Sequence, residues 1–189
     1  MNKIIEAQNF KGEQLSKENF LRGDYENCSF NNCDLSEADL SHSNFIDCRF
    51  EQCNLTTVKL KNTSLQTISF KGCKLLGINF GECNGFSMTL QFEDCQLNLA
   101  SFFKLKLKGT KFKNCTLHET DLIEADLTNA IFDQCDLAGA SFEHTILEKA
   151  DLRTAYNYAL DPELNKIKKA KFSREGALGL LTKYNIEIS

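Results

Sequence analysis

Large apolar residues return at every fifth position along most of this chain. Phe20, Tyr25, Phe30, Leu35 and Leu40 begin the clearest run, and Phe45, Phe50, Leu55, Leu60, Leu65, Phe70, Leu75 and Phe80 extend it. Two places before most of them sits a small residue, such as Cys28, Cys33 or Ala38. Helices repeat near 3.6 residues and strands near 2, so a strict period of five is neither. A fixed internal period predicts a solenoid. The series slips by two residues and resumes at Phe92, Leu97, Phe102, Leu107 and Phe112, then continues to Leu152.

A longer period lies inside the first. Every fourth repeat gives Phe10, Phe30, Phe50, Phe70, Phe92, Phe112 and Phe132, then Leu152 and Phe172. The next column is all leucine: Leu15, Leu35, Leu55, Leu75, Leu97, Leu117 and Leu137. These columns predict four pentapeptides per turn of a square coil, with like residues stacked on like. The expected organisation is a cap over residues 1–9, an all-β solenoid over 10–155 and a tail over 156–189. The register slip falls within 83–91, where Gly85 takes a central position. It reads as a tolerated insertion, or as an exposed contact made by Phe86 and Met88. In the tail, Asp161-Pro162-Glu163 predicts a helix start. Ser173 predicts the cap of a second helix running to Lys183, and Ile186-Glu187-Ile188 a short strand.

The copies Ala38-Asp39-Leu40-Ser41, Ala125-Asp126-Leu127-Thr128 and Ala150-Asp151-Leu152-Arg153 resemble the pentapeptide-repeat family. That resemblance covers roughly residues 10 to 155. It implies a right-handed quadrilateral parallel β-helix with a small C-terminal helical tail. The tail resembles that of the quinolone-resistance and microcin-immunity members, with the microcin-immunity type the closer match. In those bacterial proteins the tail joins two subunits end to end. Leu178, Leu181, Tyr184, Ile186 and Ile188 would then form the interface of a homodimer.

Composition narrows the function. No apolar run approaches the ~20 residues that span a bilayer, and the start lacks the apolar core of a signal peptide. A cytoplasmic protein is expected. Nine cysteines suggest disulfides or a metal, yet all occupy the small inward site. Stacked equivalents point in parallel, whereas a disulfide needs converging Cβ vectors, and none has CxxC spacing. Reduced core thiols are expected. His42, His118 and His144 all fall at outward sites. With no phosphate loop, HExxH or nucleophile elbow, neither enzyme activity, cofactor nor metal is expected.

Charge is the remaining signal. The formal net is −4, but acids cluster between Asp24 and Glu51 and again from Glu119 to Glu163, with lysines between. The second block holds Glu119, Asp121, Glu124, Asp126, Asp133, Asp136, Glu143, Glu148 and Asp151. A stiff column with carboxylates at set heights resembles a duplex backbone, which carries about one charge per 1.7 Å. A basic DNA-binding saddle would be steered toward it. The relatives act this way on type II topoisomerases. The resemblance therefore implies DNA gyrase or topoisomerase IV as partner, with DNA mimicry through the second acidic block and protection from quinolones or microcin-type toxins. Direct nucleic-acid binding is not expected. The alternative is a non-catalytic interaction scaffold, docking through a flat face or through Phe86, Leu99 and Phe103. Asp before a central residue also satisfies turn backbone, so some of these acids have a structural use.

Overall fold

Successive turns of the chain stack through parallel backbone pairing at a spacing of twenty residues. The computed structural model describes residues 3–15 and 19–187. One sheet climbs the whole length: Asn9–Lys11, Ser29–Asn31, Arg49–Glu51, Ile68–Lys71, Leu90–Glu93, Lys111–Lys113, Ile131–Asp133, Asp151–Leu152 and Lys171–Phe172. A second joins Lys3–Glu6, Gly23–Glu26, Asn44–Ile46 and Ser64–Gln66. Three further ladders consist of single bridges, one through Asp34, Asn54, Lys74, Gln96, Thr116 and Asp136, one through Asn79, Ser101, Asp121 and Ser141, and one through Lys106, Asp126, Ile146 and Lys166. The result is an all-β parallel solenoid of about eight turns.

The stacking is possible because each turn carries the same shapes at the same heights. Phe10, Phe30, Phe50, Phe70, Phe92, Phe112 and Phe132 are direct register partners. Their rings lie 4.7–5.3 Å apart and within 19° of parallel, close to the strand spacing of ~4.8 Å. Phe80 and Phe102 form a neighbouring stack that meets Phe92 edge-on, an arrangement that suits the ring quadrupoles.

Corners are made by a left-handed residue two places after the central one. From Ala7 to Lys169 most non-glycine corner residues have φ between 51° and 61°, Arg22, Glu82 and Thr154 being exceptions. Asparagine and glycine recur there because they tolerate this region. Thr57 and Thr67, which are β-branched, sit there too.

The small inward site has a second requirement. Cys53, Cys73 and Cys95 donate their thiols to the carbonyls of Phe30, Phe50 and Phe70 one turn below, at 3.3, 3.3 and 3.4 Å. Thr63, Thr120 and Thr145 place hydroxyls identically, at 2.9, 3.0 and 2.8 Å from the carbonyls of Leu40, Leu97 and Leu122. The site therefore favours a compact donor, and cysteine serves as a slightly larger threonine. All nine thiols are free and buried. Burial pushes Cys48 up to about 11 and Cys83 up to about 12.

Several local expectations give way to the ladder. Residues 3–6 are not a separate cover but the lowest strand. A concavity of about 500 Å³ lined by Ile4, Phe10, Leu15 and Leu21 lies at that end. At the slip the partner spacing widens from Ser64 with Asn84 to Ile68 with Leu90 and Asn79 with Ser101. Met88 turns inward and packs on the core, while Phe86 stays 75% exposed. Bridging also continues beyond residue 155, through Tyr156 and Lys166 to Phe172.

The expected α-helices are absent among the described residues. Asp161 instead caps a turn by accepting from the Glu163 amide at 2.8 Å. Asn165 must return to the coil within four residues, where its Oδ1 accepts from the Thr145 amide at 2.8 Å. Too little chain is left for a helix. Ser173 does accept from the Gly176 amide at 2.8 Å, but the chain beyond it winds as 3₁₀, over Gly176–Leu180 and Thr182–Tyr184. Glycine allows this segment to lie against Tyr158, since a Cβ at Gly179 would sit 2.3 Å from the Tyr158 carbonyl oxygen. Residues 185–187 form no strand, and Ile188 lies outside the described residues.

Phe112→Ala removes a ring held 5.1 Å from Phe92 and 4.9 Å from Phe132. A loss of about 3–5 kcal/mol is expected in urea unfolding followed by circular dichroism. A thiol reagent should find none of the nine cysteines in the native protein on the minute timescale, and all of them in denaturant.

Candidate functional site

The contiguous acidic block of the sequence is divided in space. Asp121 stands on the ladder through Ser101 and Ser141, and Asp126 on the one through Lys106, Ile146 and Lys166. Asp133 and Asp151 lie on the long sheet, and Asp136 on the ladder through Thr116 and Tyr156. The largest group brought together is Glu119, Asp121, Glu124 and Glu143, whereas Asp126 shares its side with Glu148 and Asp133 its sheet with Asp151. That group surrounds the Ser101–Asp121–Ser141 ladder, where the Glu124 amide donates to the Glu143 carbonyl at 2.8 Å. Lys104 is paired with this group, 3.5 Å from Glu124.

The aspartates mostly have structural employment. Asp121, Asp126, Asp136 and Asp151 each accept from the backbone amide two residues on, at 3.0–3.2 Å. Asp34, Asp39 and Asn54 do the same. This is the Asx turn that a short side-chain acceptor makes best. Two of the first four also hold a cation: Asp126 lies 3.2 Å from Lys108, and Asp151 2.7 Å from Arg153 and 3.6 Å from Lys171, while Asp136 lies 2.9 Å from His118 Nε2. Asp133 accepts from Thr154 Oγ1 at 3.0 Å. The longer glutamates cap nothing, so Glu119 and Glu143 are the carboxylates of the group left to solvent among the described residues.

At the upper end Lys183 lies 2.8 Å from both Asp161 and Glu163, a clamp with no signal in the sequence pattern. It fastens the 3₁₀ tail to the last turn. Leu178, Leu181, Tyr184 and Ile186 remain exposed on that tail. Among the described residues no group of three or more histidine, cysteine or acidic side chains could hold a metal ion. No helix there is long and apolar enough to cross a membrane.

The Arg153 guanidinium holds the Asp151 carboxyl down at about 2, below the value of about 3.9 expected for an unfolded chain. Its stabilisation is therefore complete above that unfolded value and is lost as pH falls toward 2. Asp151→Asn can still cap the turn, as Asn54 does, and should flatten the fall in unfolding midpoint between about pH 4 and pH 2.

Comparison with known proteins places these features in a family. A model described as a pentapeptide repeat region matches residues 24–102, and one of eight pentapeptide repeats matches residues 117–156. No curated protein matches the sequence. Among solved structures, a trypsin-treated variant of QnrB1, a plasmid-mediated fluoroquinolone resistance protein, superposes with a TM-score of 0.63 at 20% identity, covering 99% of this chain and 100% of that one. A second trypsin-treated QnrB1 variant gives 0.62 at 19% identity, covering 96% and 99%. At such identity the likeness is one of fold. The two repeat models together span well over half the residues, and the chain belongs to the pentapeptide-repeat family.

Proposed function

We propose that this protein is a non-catalytic mimic of duplex DNA that binds a bacterial type II topoisomerase, DNA gyrase or topoisomerase IV, in the cytoplasm. It would modulate the enzyme or protect it from poisons that trap cleaved DNA, such as quinolones or microcin-type toxins. The observation behind this is the end-to-end fold match to a fluoroquinolone resistance protein, together with the solvent-facing glutamates beside the Asp121 ladder. Four bridge ladders per turn support a four-sided cross-section, and right-handed crossovers are the rule for parallel strands. The exposed apolar side chains of the tail support pairing of two subunits through Leu178, Leu181, Tyr184 and Ile186, a closed twofold assembly of the commonest kind.

The binding side is narrower than the acidic block. Glu119, Asp121, Glu124 and Glu143 form it, and the remaining aspartates chiefly support turns. A stiff column needs no ordering when it docks, so little conformational entropy opposes binding.

The turn-capping use of the aspartates favours a second reading, that of a general interaction scaffold. Gyrase supercoiling and quinolone-stabilised cleavage, measured with and without the protein, separate the two. Both activities should change with protein concentration in the micromolar range. Replacing Glu119, Glu124 and Glu143 together by lysine should weaken the effect about tenfold or more, with circular dichroism unchanged. No response by either topoisomerase, and no binding on a sensor surface, would leave the scaffold reading.

A further inference from the structure

One side of the coil is polarised along its length. It begins with the strands Lys3–Glu6, Gly23–Glu26, Asn44–Ile46 and Ser64–Gln66 and continues at Asn84. Above the slip the same side is resumed by Lys106, Asp126, Ile146 and Lys166. These residues follow the Ser101 ladder and precede the long sheet, as Asn84 follows Asn79 and precedes Leu90. The lower turns present Glu6, Asp24, Glu26 and Asp47, with Lys3 at the extreme end. The upper turns present Lys106, Lys108, Lys149, Lys166, Lys168 and Lys169 against Asp126 and Glu148 alone. Of these lysines only Lys108 makes an ion pair among the described residues. Elsewhere Lys171, Lys113 and Lys183 are all paired.

Midway between the two ends stands Phe86, 75% exposed. It projects from the turn that Asn84 caps by accepting from the Phe86 amide at 3.2 Å. An exposed aromatic at the neutral midpoint of a charge-polarised side is complementary to one object already present, the same side inverted. A twofold axis through the midpoint reverses the coil direction and preserves the position across the strand. It would set Phe86 against Phe86, Glu6 against Lys168, and the net-acidic lower half of the side against the net-basic upper half, with Glu26 against Glu148 as the one like-charge meeting. Parallel pairing would set like charge on like.

We propose that two copies of this chain pair antiparallel along this side, about a twofold axis passing beside Phe86. The contact is isologous, is steered by charge and weakens with salt. It does not depend on any topoisomerase, and it uses a different surface from the tail.

The test exploits the burial of every native thiol. Phe86→Cys introduces an exposed thiol next to the axis. Oxidation with diamide should give a disulfide-linked dimer on a non-reducing gel. A control on another side, Thr57→Cys, should give little. Pairing through the tail would keep the two introduced thiols far apart, so the link reports the side contact alone. Raising salt from about 0.05 to about 0.5 M should lower the linking yield about tenfold. Reversing Lys166, Lys168 and Lys169 to glutamate should abolish it, and adding Glu6→Lys with Glu26→Lys should restore it. No covalent dimer, equal linking in the control, or yields indifferent to salt and charge reversal would each overturn the proposal.

Discussion

Everything in this fold depends on register between consecutive turns. A residue finds its register partner twenty residues away, and only if the intervening chain makes the same corners each time. Most corners use a left-handed residue, which costs roughly 1–2 kcal/mol outside glycine. Burying the central Leu or Phe of a side contributes about 1.5–3 kcal/mol. The two terms are of one order, so a side without its central residue has little to hold its corner. The chain shows this once. Gly85 takes a central position, and there the bridge expected between Asn84 and Lys106 is missing, two extra residues are absorbed and Phe86 swings out. Met88 folding onto the core is the local repair.

The same register governs the polar surface. A short acceptor before the central residue can reach the amide two residues on, and the repeat uses Asp or Asn there from Asp34 to Asp161. Carboxylates are thereby fixed at set heights for reasons of folding. Any partner that recognises them exploits a by-product of turn chemistry. Glutamates at the corners and after the central residue carry no such duty, which makes Glu119, Glu124 and Glu143 the better candidates for binding.

Much of this was legible in the sequence because a period of five, doubled by one of twenty, admits few architectures. The phenylalanine and leucine columns are the observed stacks, residue for residue. What was not legible reflects competition between local and vertical preferences. Asp161-Pro162 and Ser173 are sound helix starts in isolation, but Asn165 and Phe172 are claimed by the turn beneath, and Gly179 is pressed against Tyr158. The acidic block misled differently. Neighbours five apart in sequence point to different sides, whereas neighbours twenty apart share one, so a run of acids is scattered around the coil. Sorting residues by twenties, with the two-residue slip allowed for, would have separated Asp126 and Asp151 from Glu119 and Glu143. It would also have gathered Lys149 with Lys166, Lys168 and Lys169.

Sorting by sides also bears on how several contacts could coexist on so thin a molecule. The glutamate-bearing side, the charge-polarised side and the tail are separate surfaces, and the first two meet along one corner of the coil, at Lys104 and Glu124. A partner on one side of a stiff column leaves the next side unchanged in shape, because the core between them is close-packed and transmits little deformation. Its effect is electrostatic instead. Covering the lysine-rich upper turns with the acidic turns of another copy would reduce the positive field nearest Glu124 and leave the glutamates more strongly negative toward a basic saddle. Side pairing and topoisomerase binding would then reinforce each other through charge alone, with no movement of the backbone.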